Sequence, residues 1–151
     1  KTAKKDLGML AAEYGDVYVA SIALGANPAQ AITAIREAEE HRGPSIIIAY
    51  APCINHGIVK GMAYSQAEAK LAVESGYWFL FRYKPELKAE GKNPFILDSK
   101  APGKPLEDFL MGEVRYAALR RTFPEQAEAL LDAAKADSAA RYQKYLALSQ
   151  R

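Results

Sequence analysis

Cysteine is scarce in this sequence, and that scarcity excludes several kinds of site. The chain has one cysteine in 151 residues, so it cannot form an internal disulfide, and alone it cannot hold an iron–sulfur cluster, which generally needs four thiolates. A large excess of charge is also lacking, because the formal net charge is only +2 and the basic residues are spread along the chain. We therefore expect neither nucleic acid nor an anionic membrane as a partner.

Long hydrophobic runs and recognised catalytic motifs are missing as well. The longest apolar runs, such as IIIAYA, are far too short to span a bilayer, and KTAKKDLGML lacks the apolar stretch of a signal peptide. No phosphate-binding glycine loop, HExxH or CxxC occurs. The remaining composition, 50% hydrophobic and 25% charged, is typical of one soluble globular domain. These features favour a cytoplasmic protein.

Residues 16–51 predict a strand–helix–strand unit, the centre of an α/β fold. DVYVASIAL at 16–24 and SIIIAYA at 45–51 are apolar and β-branched, as buried strands are. Between them, Asn27 has the position of a helix N-cap, Pro28 that of the first helical residue, and Gln30 that of a capping-box partner. The side chains that we expect to face the core are Ile32, Ile35 and Ala38. Such a unit has two parallel strands and a right-handed crossover.

Two further helices are predicted on either side of this unit. The first, over 4–14, should end at Gly15, and its apolar stripe is Leu7, Leu10, Ala11 and Tyr14. The second should begin with a capping box formed by Ser65 and Glu68 and end at Gly76.

The aromatic run at 77–83 predicts a third strand, residues 84–93 a loop or single helical turn, and residues 94–97 a short edge strand. After the linker at 101–105 the composition shifts to helix formers, with apolar stripes broken at Phe123-Pro124. We expect an antiparallel helix pair folded back on the sheet. The predicted division is an α/β part over 1–104, with a mostly parallel sheet, and a helical hairpin over 105–151.

The loop that follows the second strand carries the most useful chemistry. Cys53, Asn55 and His56 lie together in YAPCINHG, and ligands of open α/β sheets bind at the carboxyl ends of strands. If the two strands are adjacent, this loop and Gly25-Ala26-Asn27 open onto one crevice. Three interpretations of Cys53 remain open: a small buried hydrophobe, a nucleophile paired with His56, or one ligand of a metal centre completed elsewhere.

The other polar candidates have simple structural explanations. Asn55 suits a turn brace, His56 an exposed or loop-bonded residue, and Asn27 a helix cap whose helix N-terminus could also receive an anion. The Asp98-Ser99-Lys100 triplet is typical of a polar turn, and Trp78 with its neighbours is typical of core.

Several longer blocks carry a more specific signal than these short patterns. KKDLGMLAAEYGDVYVA, GPSIIIAYAPCINHGI, SGYWFLFRY, GKNPFILDSK and DFLMGEVRYAAL occur in order from about residue 4 to the end of the chain. Together they resemble the C-terminal segment of the pyruvate:ferredoxin (flavodoxin) oxidoreductase family, within its thiamine-diphosphate-binding domain.

The resemblance implies a function for the full-length enzyme. That family decarboxylates pyruvate oxidatively with coenzyme A to acetyl-CoA and carbon dioxide, and passes electrons to ferredoxin or flavodoxin. It uses thiamine diphosphate, Mg²⁺ and 4Fe–4S clusters, and a homodimer is implied. Cys53 matches the distant fourth ligand of the cluster nearest the thiamine. The backbone near Ile54 and Asn55 would then tune that cluster through hydrogen bonds to sulfur.

The sequence also departs from the family's full pattern. The GDG…N cofactor motif, the CxxC ligand pair and the pyruvate-contacting residues are absent from these 151 residues. We therefore expect a fragment that is inactive alone and binds no cofactor. The alternatives from other classes are a self-contained α/β interaction module and a small cysteine-dependent hydrolase.

Overall fold

A four-stranded sheet with helices on both faces forms the framework of the chain. The computed structural model describes residues 5–151. The strands are β1 (Tyr18–Ile22), β2 (Ser45–Ala49), β3 (Phe81–Tyr83) and β4 (Phe95–Leu97), in the spatial order β2-β1-β3-β4. β1 is parallel to β2 and antiparallel to β3, and β3 is antiparallel to β4. The α/β class is confirmed, but the expectation of a mostly parallel sheet is wrong. The sheet is mixed, because among the described strands only β1 and β2 pair in parallel.

The predicted strand–helix–strand unit is present. Its helix belongs to a set of seven among the described residues: α1 (Leu7–Ala12), α2 (Pro28–Glu40), α3 (Ser65–Glu74), α4 (Glu86–Ala89), α5 (Leu106–Gly112), α6 (Val114–Thr122) and α7 (Pro124–Ser149). Asn27 caps α2 as expected, since its side chain accepts from the Gln30 N–H at 3.0 Å. The reciprocal half of the capping box is absent, because the Gln30 amide instead donates to Ser21 O and Asp98 Oδ2.

The predicted buried faces of α1 and α2 are wrong for the large residues. In α2 the buried side chains are Gln30, Ala31 and Ala34, whereas Ile32 is 56% and Ile35 46% exposed. In α1 the buried residues are Gly8, Ala11 and Ala12, and the exposed ones are Leu7, Leu10 and Tyr14. Small residues face the sheet because they let each helix approach it closely. Gly8 shows this, since a Cβ there would overlap the Phe81 ring at 2.7 Å.

Two separate apolar clusters lie on opposite faces of the sheet. On one face Tyr18 and Ala20 of β1 pack against the alanines of α2. On the other, Val19 of β1 packs with residues from α1, β3, β4 and α7, of which Tyr145 is the long helix's contribution. β1 is therefore the only described strand that is buried at every position.

The predicted helix ends and strand lengths in the first hundred residues are confirmed in some places and wrong in others. Gly76 follows the C-cap of α3 with φ of +75°, as expected, whereas α1 ends at Ala12, before the predicted end at residue 14, and Gly15 (φ +89°) lies in the turn beyond it. The helical turn α4 and the edge strand β4 are as expected. The predicted helix start at residue 4 lies outside the described residues. The Ser65–Glu68 capping box is wrong: Tyr64 is the N-cap, no side chain caps α3, and Glu68 is buried. The strand expected over 77–83 is reduced to three residues.

The C-terminal part is helical, but its first helix is divided. Glu113 adopts an extended backbone (φ −91°, ψ 120°) that separates α5 from α6. α7 is the longest helix and packs on the sheet, where Tyr145 lies against Phe81 and Phe95. No helix in the described part of the chain is both long and apolar enough to cross a membrane.

Candidate functional site

The carboxyl ends of β1 and β2 lie side by side, so the loops that follow them are neighbours. The Tyr50 N–H donates to Ile22 O at 2.9 Å, continuing the pairing past the end of β2. The loop after β1 approaches α3 so closely that a Cβ on Gly25 would lie 2.5 Å from Gln66 O. The first requirement for a shared site, adjacent parallel strands, is therefore confirmed.

The Cys53 loop, residues 52–61, contains a turn that places the cysteine outside the core. The Gly57 N–H donates to Cys53 O at 2.9 Å, and Gly57 has φ of +75°, a conformation that favours glycine. A second glycine, Gly61, closes the loop, with its N–H donating to Ile58 O at 2.9 Å. The turn is thus built by backbone hydrogen bonds rather than by packing of the cysteine.

The structure discriminates between the interpretations of Cys53. The cysteine is exposed, so its interpretation as a small buried hydrophobe is wrong. No hydrogen bond joins His56 to Cys53 within the described residues, which removes the geometric support for an activated nucleophile. An exposed thiol on a backbone-built turn retains its capacity to be a metal ligand.

The other residues of the loop are also accessible. Asn55 and His56 are exposed, and Ile54 is 81% exposed. Among residues 5–151, no group of three or more His, Cys, Asp or Glu side chains is arranged to hold a metal ion. A centre that includes Cys53 would therefore take its other ligands from outside this part of the chain.

Glu113 and Glu68 were not predicted as site residues, yet they lie directly behind this loop. Glu113 forms an isolated bridge with Ile58, and on either side of it Val59 N donates to Gly112 O at 2.8 Å and Val114 N to Gly57 O at 3.3 Å. Glu113 is 2% and Glu68 5% exposed. No local pattern marks Glu113, and Glu68 resembled a capping residue, so the burial of neither residue was predictable from local patterns.

The Asp98 triplet contributes to an ionic network rather than to a simple turn. Arg82 of β3 donates to Asp98 at 2.8 and 2.9 Å and to both Glu37 oxygens at 3.0 Å. The next residue, Ser99, accepts from Leu80 N at 2.7 Å. This network joins α2, β3 and the end of β4 on the α2 face of the sheet.

A large cavity among the described residues lies elsewhere. It has a volume of about 1140 Å³ and is lined by α5, α6, α7 and the segment before β3, including Trp78, Leu110 and Leu131. Its lining does not include the Cys53 loop. The cavity is therefore separate from the exposed thiol.

Fold and site together define an α/β protein with an exposed cysteine on a loop at the carboxyl end of a parallel strand, where open sheets bind their ligands. No model of a known protein family matches the chain. Its relatives are more informative. The pyruvate:ferredoxin oxidoreductase of Moorella thermoacetica is 59% identical over 149 residues, and the pyruvate-flavodoxin oxidoreductase of Klebsiella pneumoniae is 55% identical over 149 residues.

These matches cover 99% of the chain but only 13% of each of those two proteins. A pyruvate dehydrogenase [NADP(+)] of Euglena gracilis, described as mitochondrial, is 43% identical over 145 residues, or 8% of that protein. The chain is thus homologous to one segment of the pyruvate:ferredoxin and pyruvate-flavodoxin oxidoreductases, and the resemblance of its sequence blocks is confirmed.

Proposed function

We propose that the chain is part of a pyruvate:ferredoxin or pyruvate-flavodoxin oxidoreductase and contributes one iron–sulfur ligand to it. The observation that carries the proposal is the exposed Cys53 thiol, held on a turn at the carboxyl end of β2. In the whole enzyme, pyruvate and coenzyme A would give acetyl-CoA and carbon dioxide, with electrons passed to a protein acceptor. We place that enzyme in the cytoplasm and expect it to be a homodimer.

The residues present fit one ligand position of a 4Fe–4S cluster. The Cys53 thiol is accessible, and the backbone of its turn is fixed by Gly57, so the sulfur is presented without displacing core side chains. A bound cluster supplies one-electron transfer. The chain's contribution is to fix one ligand, and Asn55 on the same turn is proposed to donate a hydrogen bond towards the cluster sulfur.

The residues present do not form a thiamine diphosphate site. That cofactor and its Mg²⁺ need carboxylate, amide and carbonyl oxygens around a diphosphate, and no GDG…N stretch occurs in the sequence. The cofactor would therefore be bound by other parts of the enzyme, and we expect the isolated 151 residues to be inactive.

The exposed apolar surface supports a place inside a larger protein. Leu7 on α1, Ile32 on α2 and Ile46 on the edge strand β2 are all substantially exposed. One side of β2 has no strand beside it among the described residues. A monomeric protein seldom exposes an apolar edge strand, because the unpaired backbone of such a strand can pair with other chains and cause aggregation. We propose that other parts of the oxidoreductase cover this edge.

The electron acceptor is not determined by this segment. Its relatives include proteins named for ferredoxin, for flavodoxin and for NADP⁺, at 43–59% identity. Acceptor choice would then depend on residues outside it.

The test is Cys53→Ala in the full-length enzyme, with Ile54→Ala as the matched loop control. We expect Cys53→Ala to lose the iron and sulfide of one cluster, and Ile54→Ala to retain both, since its side chain is 81% exposed. Anaerobic iron and sulfide analysis measures this. Unchanged iron in Cys53→Ala would exclude Cys53 as a ligand.

A further inference from the structure

Two buried carboxylates behind the Cys53 loop have incomplete hydrogen bonding. Glu113 Oε1 and Glu68 Oε1 are both inaccessible and have no hydrogen-bond partner. Buried polar groups are nearly always paired, so such an exception requires an explanation. Neither residue lines the 1140 Å³ cavity.

The two acids are brought together by α3 and the junction of α5 and α6. The carboxylate of Glu68 packs on the α-carbon of Gly112, where any added Cβ would overlap Glu68 Oε1. Glu113 is the next residue in the chain. We call Glu68 and Glu113 the acid pair.

At both members of the acid pair, burial outweighs the nearby positive charges in its effect on the pKa. Burial raises the pKa of both carboxyls, and the charge of Glu113 raises the pKa of Glu68 further. Arg115 is the nearest cation to Glu113, with 3.8 Å between Nε and Oε2, and His56 acts in the same direction. Lys60 opposes the shift at Glu68.

The remaining titratable groups that face the pair are tyrosines, which supply no positive charge. Burial, and then the charge of Glu113, raises the pKa of Tyr50, and burial raises the pKa of Tyr116 to about 12. Tyr116 is hydrogen-bonded to Tyr77. Because their pKa values are raised, Tyr50 and Tyr116 stay neutral at physiological pH. A carboxyl held in such surroundings keeps its proton more readily than one in water.

The acid pair is also connected mechanically to the loop. Residues 112–114 hold residues 57–59 through the Ile58–Glu113 bridge and its two flanking hydrogen bonds. The Gly57 N–H is in turn bonded to Cys53 O. Movement of Glu113 would therefore be transmitted to the turn that carries the thiol.

We propose that Glu68 and Glu113 are positioning residues for the Cys53 loop: a proton held by the acid pair keeps residues 112–114 attached to residues 57–59, and its loss loosens that attachment. Two buried negative charges repel each other and draw in water, whereas a neutral acid beside one carboxylate does neither. The inference rests on the proposed function only in that the loop serves the reaction through Cys53.

The sign of the pH dependence follows from the raised pKa values. A carboxyl that binds its proton more tightly when the loop is attached stabilises the attachment most at low pH. That contribution is lost as the pH rises from the ordinary pKa of glutamate, about 4.3, through the raised value. Within that window the protection of the loop amides should fall by up to about tenfold per pH unit.

The experiment is amide hydrogen exchange by mass spectrometry on the full-length enzyme, beginning at the lowest pH at which it stays folded. The peptides of interest contain Gly57, Val59 and Val114, and rates are divided by the intrinsic rate at each pH. We expect a sloping profile in the wild type and a shallower, more protected profile in Glu113→Gln and Glu68→Gln, because each variant replaces one acid by its neutral mimic and leaves the other buried carboxyl to titrate. Glu128→Gln, at an exposed site on α7, should keep the wild-type slope.

A wild-type slope in both glutamine variants would overturn the proposal, as would loss of protection at every pH in Glu68→Gln. Iron analysis of the same samples separates this claim from the cluster ligand. Full iron in Cys53→Ala together with a reduced slope in Glu113→Gln would refute Cys53 as a ligand and support the role of the acid pair. Lost iron in Cys53→Ala together with wild-type slopes in both glutamine variants would support Cys53 as a ligand and refute the role of the acid pair.

Discussion

Arg82 is the residue whose loss should destabilise the fold most clearly through charge. Its guanidinium lies between Glu37 of α2 and Asp98 beyond β4, and it donates two hydrogen bonds to each carboxylate, at 3.0 Å to Glu37 and at 2.8 and 2.9 Å to Asp98. The three side chains are only 15%, 16% and 12% exposed. Replacement by alanine therefore leaves two carboxylates largely buried and without their main cation.

The contacts that remain set the expected decrease in the free energy of unfolding of Arg82→Ala. Removing one partner of a buried ion pair costs about 3–5 kcal/mol. We expect the lower end, about 3 kcal/mol, because Lys84 remains 3.7 Å from Glu37 and the Tyr18 hydroxyl still donates to it at 2.9 Å. Asp98 likewise keeps its hydrogen bond from the Gln30 amide.

Urea unfolding of the 151-residue chain measures the loss. With a slope of about 2 kcal/mol per molar urea, the midpoint of Arg82→Ala should fall by about 1.5 M. The urea midpoint of Arg82→Lys should lie between those of the wild type and Arg82→Ala, since lysine keeps the positive charge but lacks the planar guanidinium. Arg42→Ala, at an exposed site, should change stability by less than about 0.5 kcal/mol. A loss below about 1 kcal/mol in Arg82→Ala, typical of an exposed pair, would refute the reasoning.

Two further predictions concern close packing and the apolar surface. Gly25→Ala should lower the free energy of unfolding by about 1–3 kcal/mol because its Cβ would meet Gln66 O at 2.5 Å. The control Gly103→Ala, which has open space around it, should leave that free energy nearly unchanged. Urea unfolding of both variants measures the difference. Ile32→Lys should change the stability of the isolated chain by less than about 0.5 kcal/mol but should lower the yield of folded full-length enzyme, if that surface is covered. Equal yields of wild-type and variant enzyme would contradict the buried interface.

Local sequence signals predicted the strand–helix–strand unit because they depend on neighbouring residues alone. Asn27 and Pro28 define the start of α2, and Gly76, with a positive φ, follows the C-cap of α3. The exposed cysteine turn was placed correctly after the second strand. These features need no knowledge of distant contacts.

Helix faces and the acid pair could not be predicted in the same way. Periodicity identified large apolar stripes on α1 and α2, but the sheet is contacted by their alanines and glycine, and the stripes face outward. Glu68 had the spacing of a capping residue, and its burial depends on Gly112, which is distant in sequence. The extended backbone at Glu113 interrupts an otherwise continuous helical pattern because residues 57–59 pair with it there.

The most direct test of the central claim is the EPR spectrum of the full-length enzyme with Cys53→Ser, recorded during an anaerobic redox titration. Serine keeps a ligand oxygen at the position of the exposed sulfur. We predict that one 4Fe–4S signal changes its spectrum and midpoint potential while the others stay as in the wild type. Signals and potentials identical to the wild type for every cluster would contradict the assignment of Cys53 as a ligand.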